Sequence, residues 1–315
     1  MKHFTSLSDV TDLSALLDKA LEIKKSPGKF KAKTQGKTLG LIFLNPSLRT
    51  RVSSEKAGNN LQMNVQVLNQ AEAWNWELQE DIIMDGSSTE HIIEAARVLG
   101  AYCDIIGIRS FPGLKDPELD KKERVISYFK KYAGVPIISL ESSLLHPLQS
   151  FADLITINGT WNKPRKPRVL LCWAPHVKPL PHCVANSFSE WMLGADVEFS
   201  VANPIGYDLD QKFVENAKQY HDLDSAVLNQ DYIYIKNWSS FESYGEMPPV
   251  KGNWFIDEKI FSGLSETKFM HCLPVRRNLE MSSIILESKN SLVIEQAKNR
   301  VVAMETVLSS LAENL

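Results

Sequence analysis

Ser47, Arg49, Thr50 and Arg51 stand together in the stretch NPSLRTRVSSEKAG, directly after the apolar run LGLIFL and ahead of a helix-like segment. Where a strand hands over to a helix, the first backbone N–H groups of the helix lack intrahelical partners and form a ready anion site. Arginines beside such a site add planar forks that match phosphate or carboxylate oxygens two at a time. Three more polar clusters close apolar runs. Arg109 ends DIIGIR, HPLQ (His146 to Gln149) precedes a helix beginning near Ser150, and HCLPVRRN (His271 to Asn278) ends KFMHCLP. In open α/β sheets ligands bind at the carboxyl ends of strands, so the four clusters are placed to converge.

The side chains in these clusters have a joint chemical reading. Ser47, Arg49, Thr50 and Arg109 suit a phosphate dianion. A neutral His146 and the amide of Gln149 suit a carbonyl oxygen and an amide nitrogen beside that phosphate. The backbone carbonyls around Cys272 and Leu273 can accept from an NH₂ group, because Pro274 bends the chain away from regular pairing. Phosphate, carbonyl and NH₂ together describe carbamoyl phosphate. Neither half of the chain contains GxGxxG or a P-loop, so a dinucleotide or nucleoside triphosphate is not supported.

The elements that must position these groups alternate along the chain. GLIFL, NVQVLN, DIIGIR and VPIISL read as strands, with EHIIEAARVLGAY and ERVISYFKKYA as helices between them. The polar, basic segment NGTWNKPRKPR (Asn158 to Arg168) reads as a domain boundary or an exposed link. Beyond it VLLCWA, DVEFSVA, DYIYIKNW and KFMHCLP read as strands, and HCVANSFSEWMLGA and QKFVENAKQYH as helices. Val293, Ala297, Val301, Met304, Leu308 and Leu311 recur at steps of three and four, the pattern of an amphipathic helix. The fold class is α/β, with two Rossmann-like domains whose parallel sheets are flanked by helices.

A chain of 315 residues holds two domains of ordinary size. A net charge of −3 gives no reason to expect nucleic acid as a partner. The longest apolar runs are strand-sized, so no membrane span is expected. The four cysteines have no CxxC pair, which argues against a structural zinc site or disulfide framework and for a reducing, cytoplasmic setting.

The order SxRTR, Arg109, HPxQ, HCLP resembles that of the carbamoyltransferases over nearly the whole chain, with HCLP on the ornithine side of that superfamily. The Ser-Met-Gly loop of ordinary ornithine carbamoyltransferases is missing; the region reads NWSSFESYGEMPP. WAPHVKPLPHCVANS, IKNW and HCLPVRRN are similar to the N-acylornithine carbamoyltransferases, which make acylcitrulline for arginine synthesis. The resemblance implies a carbamoyl-phosphate domain at 1–150, completed by a C-terminal helix at 291–315 that returns to it, and an N-acylornithine domain at 151–290. It implies a homotrimer with active sites shared between subunits, and neither a metal nor an organic cofactor. Ser47, Leu48, Arg49, Thr50 and Arg109 would hold phosphate. His146 and Gln149 would meet the carbamoyl group, with Cys272, Leu273 and Arg300 completing that end. The catalytic set would be Arg49, Arg109, His146, Gln149 and Cys272. No base is evident to make Cys272 a nucleophile, so the site would supply position and charge.

On the amino-acid side the resemblance offers Lys236 for the substrate carboxylate and Glu141 for its amine end. His176, Lys178 and Arg276 would line the pocket, and Trp74, with Trp76 beside it, would cross into a neighbouring subunit. SSTE, Ser87 to Glu90, reads as a capping box for the following helix. In the family this loop reaches the neighbour's acyl pocket, with Glu in acetylornithine enzymes and Pro in succinylornithine enzymes. Glu90 therefore stands against a succinyl-type background. The acetyl enzymes also carry a carboxylated lysine where this chain has Glu280. Two other readings are ordinary ornithine carbamoyltransferase, opposed by the missing loop, and a non-catalytic binder of a phosphorylated metabolite. The second is opposed because every carbamoyl-phosphate position holds a competent residue.

Overall fold

A computed structural model of the chain describes residues 1–69 and 75–315. It forms two α/β units. Unit 1 comprises residues 1–113, 117–148 and 300–315, and unit 2 comprises 114–116 and 149–299.

Unit 1 runs α1 (Leu13–Lys25), β1 (Thr38–Phe43), α2 (Leu48–Asn60), β2 (Asn64–Asn69), β3 (Trp76–Glu77), β4 (Glu90–His91), α3 (Ile92–Tyr102), β5 (Ile105–Arg109), α4 (Pro117–Lys121), α5 (Arg124–Tyr132) and β6 (Ile137–Glu141). Its main sheet is parallel, in the order β2–β1–β5–β6. β5 and β6 are buried along their whole length, as a sheet covered on both faces requires. Ile106, Ile108 and Ile137 pack with Ile92 and Ala96 of α3 and Phe129 of α5. Gly100 lets α3 approach α5 closely: a Cβ there would lie 1.8 Å from the carbonyl oxygen of Ala133.

α6 (Pro147–Thr160) leads into unit 2, followed by β7 (Arg168–Trp173), α7 (Cys183–Gly194), β8 (Glu198–Ala202), α8 (Gln211–Val214), β9 (Lys218–Tyr220), α9 (Leu223–Ala226), β10 (Tyr232–Lys236), α10 (Glu258–Ser262), β11 (Lys268–Met270), α11 (Ser283–Glu287) and α12 (Val293–Leu311). The sheet is parallel, ordered β11–β10–β7–β8–β9. Phe188 of the buried helix α7 packs 4.3 Å, centroid to centroid, from Tyr234 of β10.

Several local expectations are corrected. The helix expected over 211–221 is only α8; Lys218–Tyr220 instead adds an edge strand by pairing with Ser200–Ala202, so sheet pairing overrides the local pattern. The division falls at residue 148 rather than at the basic segment, which is instead a largely exposed link. This link folds onto unit 2, where Arg165 grips Asp231 with two hydrogen bonds of 2.6 and 2.7 Å. Residues 291–299, expected with the first domain, belong to unit 2. Leu292 N–H donates to Phe269 O, and Gln296 and Asn299 bond to Asp153 and Thr156. The rest of α12 belongs to unit 1, where Met304, Val307, Leu308 and Leu311 are buried and Glu305 accepts from Gly28 N–H at 2.8 Å.

The SSTE segment is not a capping box. Glu90 and His91 pair with Trp76 and Glu77, and α3 starts at Ile92, capped by His91 Nδ1, which accepts from Ile93 N–H at 3.2 Å. Trp76 is half-buried and packs within its own unit, 5.5 Å from the Phe129 ring. Trp74 lies outside the described residues. Among the described residues no helix is long and apolar enough to cross a membrane.

Gly100→Ala is expected to destabilise the protein by about 3 kcal/mol, because the added methyl meets backbone that cannot swing aside. Chemical denaturation checks this, and a loss within experimental error would show that α3 and α5 can separate freely.

Candidate active site

In unit 1 the site is built where β1, β5 and β6 end. Leu44 N–H donates to Arg109 O at 3.0 Å, Ser110 N–H to Glu141 O at 2.9 Å, and Phe111 N–H to Asn45 Oδ1 at 2.7 Å. The register between β5 and β6 shifts at this point: Ile108 faces Ser139, but Arg109 faces Glu141, skipping Leu140. The shift brings two ionic side chains opposite each other, a device common beside active sites.

Arg109 and Glu141 form a buried ion pair through Nη1 and Oε2. The guanidinium lies over Phe111, 4.2 Å from the ring centroid, and its Nε has no hydrogen-bond partner among the described residues. His146 Nε2 lies 3.4 Å from the same carboxylate oxygen, while His146 Nδ1 has no hydrogen-bond partner among the described residues. The imidazole is carried by a closed turn, Ser142 N–H to Leu145 O at 2.8 Å, and Pro147 then starts α6, where its missing N–H costs nothing. Burial and the charges of Arg300 and Arg109 hold the His146 pKa well below its ordinary value, so the ring is neutral near pH 7. The sequence reading placed Glu141 at the amine end of an amino-acid substrate; the structure engages it with Arg109 and His146.

Ser47 caps α2, its Oγ accepting from Thr50 N–H at 3.4 Å. Arg300 is buried and donates to Thr50 Oγ1 at 2.7 Å, so it is no ordinary surface arginine. Leu48 is exposed and Arg49 half-buried, both in the first turn of α2. Arg51 turns away, paired with Glu55 at 2.8 Å. An open helix N-terminus flanked by guanidinium groups is an anion site.

Unit 2 holds the second set. Gln149 is buried in the first turn of α6, its Nε2 donating to Asp153 Oδ1 at 2.8 Å. After β11, His271 Nδ1 accepts from Leu273 N–H at 3.0 Å, which leaves the ring hydrogen on Nε2, facing Glu280 Oε1 at 3.5 Å. Leu273 has φ of 55° and precedes a cis proline, while Cys272 is half-buried. Glu280 also accepts from Arg276 N–H at 2.8 Å. Burial pushes the Glu280 pKa up, but His271, Lys236 and the Arg276 N–H outweigh it and hold the carboxyl below its ordinary value. Arg276 Nε donates to His176 Nε2 at 3.1 Å, and His176 Nδ1 meets Lys178 O at 2.8 Å. Lys236 ends β10 and is buried, whereas Lys178 is exposed. Glu90 is half-buried on β4. Among the described residues no group of three or more His, Cys, Asp or Glu is placed to hold a metal ion. Asp153 and Gln296 escaped the sequence reading, whereas His271 opens the HCLP cluster. The four-residue step from Gln149 to Asp153 on a helix started by Pro147 was the signal for the first of them.

Residues 2–159 match the family model for the aspartate/ornithine carbamoyltransferase carbamoyl-P binding domain, and 182–311 that for the Asp/Orn binding domain. The chain belongs to the aspartate/ornithine carbamoyltransferase family. Within this carbamoyltransferase family it is 46% identical to the N-succinylornithine carbamoyltransferase of Bacteroides fragilis (strain 638R), over 100% of both chains. It is 33% identical to the N-acetylornithine carbamoyltransferase of Xanthomonas campestris pv. campestris, over 99% of this chain and 98% of the other. Among solved structures, an acetylornithine transcarbamylase complexed with acetylcitrulline superposes with a TM-score of 0.92 at 32% identity, covering 99% of each chain.

The neutral His146 makes a prediction about stability. Below pH 6.5, the ordinary value, the unfolded chain binds a proton that the buried ring refuses, so stability rises with pH and is lost as pH falls. His3 and His182, also lowered, act in the same sense. His146→Gln is expected to remove up to about 1.4 kcal/mol per pH unit of this slope between about pH 5 and 6.5. Denaturant unfolding across that range checks it; an unchanged slope would mean that His146 is protonated in the folded protein.

Proposed function

We propose that the protein transfers the carbamoyl group of carbamoyl phosphate to the δ-amine of an N-acylornithine, giving N-acylcitrulline and phosphate in arginine biosynthesis. The observation that carries this reading is the buried set of Arg109, Glu141, neutral His146, Thr50 and Arg300 beside the open N-terminus of α2. The similar proteins named N-succinyl- and N-acetylornithine carbamoyltransferases, and the solved relative holding acetylcitrulline, support the same chemistry.

In this reading unit 1 is the carbamoyl-phosphate domain. Ser47, the Leu48 backbone, Arg49, Thr50, Arg109 and Arg300 bind phosphate, and His146 polarises the carbamoyl carbonyl. Gln149 and the carbonyls of Cys272 and Leu273 receive the NH₂ group. Unit 2 is the amino-acid domain, with Lys236, His176, Lys178 and Arg276 on the N-acylornithine. The neutral δ-amine attacks the carbamoyl carbon, the arginines and His146 stabilise the oxyanion, and the carbon–oxygen bond to phosphate breaks. Phosphate leaves with the proton lost by the amine. The protein works in the cytoplasm as a homotrimer with shared active sites, Trp74 and Glu90 acting in a neighbour's pocket.

Glu90 sets the acyl preference in this proposal. Succinyl ends in a carboxylate and acetyl in a methyl group, so a carboxylate on the loop discriminates by repulsion. Citrulline-type product formation with ornithine, N-acetylornithine and N-succinylornithine is the decisive assay, and N-acetylornithine is expected to win. Glu90→Ser, which keeps the β4 backbone N–H, should move the ratio of kcat/KM toward N-succinylornithine by about tenfold or more. An unmoved ratio would reduce Glu90 to a strand residue. Reaction with none of the three would sink the functional reading.

Arg49→Ala should leave the fold intact, since Arg49 lies half-exposed on α2, and lower kcat/KM by about a hundredfold or more. Near-normal turnover with near-normal carbamoyl-phosphate affinity would remove the α2 loop from the site.

A further inference from the structure

Asp153 is a completely buried carboxylate in unit 2 with no place in the reaction described above. Its Oδ1 accepts from Gln149 Nε2 at 2.8 Å, one helical turn earlier on α6, and from Gln296 Nε2 of α12 at 2.9 Å. Gln296 in turn accepts, through Oε1, from the backbone N–H of His271 at 2.8 Å. Tyr234 of β10 lies against the same carboxylate. The chain of bonds is directional. Asp153 Oδ1 accepts from both amides and the His271 backbone N–H only donates, so flipping either glutamine amide would set its carbonyl oxygen against that Oδ1. Gln149 therefore turns its NH₂ inward to Asp153 and its carbonyl oxygen the other way.

We propose that Asp153 is a positioning residue that locks the Gln149 amide with Oε1 toward the ligand, and thereby makes the site prefer a phosphate ester bearing NH₂ over one bearing CH₃. The proposal rests on the reading above that Gln149 meets the carbamoyl group. Carbamoyl phosphate and acetyl phosphate have nearly the same shape and charge and differ in the group that an acceptor such as Gln149 Oε1 recognises. A Gln149 amide free to rotate presents NH₂ to NH₂ part of the time, and carbamoyl phosphate loses affinity while acetyl phosphate does not. The same relay ties the α6 side of this recognition to the start of the HCLP turn, because Gln296 holds His271 and His271 holds the Leu273 N–H.

The test is equilibrium binding of carbamoyl phosphate and of acetyl phosphate to the full-length protein and two variants. Asp153→Leu, close in size but without an acceptor, is expected to weaken carbamoyl phosphate by about tenfold or more and acetyl phosphate by less than about threefold. Asp153→Asn, whose Oδ1 still accepts from both amides, is expected to stay within about threefold of the unaltered protein for both ligands. Equal weakening of both ligands by Asp153→Leu, or no weakening of carbamoyl phosphate, overturns the proposal while leaving the proposed function standing. An unaltered protein that binds carbamoyl phosphate no better than acetyl phosphate overturns both. Should Asp153→Leu fail to fold, a crystal structure of the unaltered protein with phosphonoacetamide decides the point. Gln149 must then lie within hydrogen-bond distance of both Asp153 and the ligand amide nitrogen; a Gln149 that has left Asp153 overturns the proposal.

Discussion

A buried ion pair between Arg109 and Glu141 organises unit 1. Two opposite charges out of water are worth keeping only when both are held in good geometry and further bonded, because their desolvation rivals their attraction. Here the geometry comes from a register shift between two parallel strands, and the further bonding comes from His146 and the ring of Phe111. The pair keeps a guanidinium aimed in the absence of any ligand. Burial and the nearby charges of Arg300 and Arg109 keep the His146 imidazole neutral. Strand ends, helix start and charge balance are thus consequences of one another.

Much of this was legible in the sequence. Apolar runs ended by Arg109, HPLQ and HCLP announced strand ends, and Ser47 before a helix announced an N-cap, because both signals are local. Other features were not, and the reasons differ. The Arg109–Glu141 pair depends on a register shift, and nothing in either strand's own sequence encodes which residue it will face. The KQY strand has too few residues to carry a period and exists only because β8 offers an edge. The SSTE motif has the spacing of a cap, but its Glu90 is drawn into pairing with Trp76, a partner 14 positions earlier in the chain.

Unit 2 shows the same economy through a chain of hydrogen bonds. Asp153, Gln296 and His271 come from α6, α12 and the end of β11, and each contributes a group that can play only one hydrogen-bonding role in its place. The His271–Glu280–Arg276 arrangement extends the pattern, shaping the turn that carries Cys272 and Leu273 from behind. Asp153 has the four-residue helical step from Gln149 and His271 stands in the HCLP cluster, but Gln296 has no local signature, because its value lies in whom it meets.

The partition of α12 bears on how the protein is made. Residues 300–315 complete unit 1, filling its interior with Met304, Val307, Leu308 and Leu311 and giving Gly28 its acceptor in Glu305. They are synthesised only after the whole of unit 2. The first unit to be translated is therefore the last that can close, and it waits with an open hydrophobic face while unit 2 is synthesised. A deletion within residues 300–315 therefore strikes the unit whose last strand ends at Glu141, far earlier in the chain.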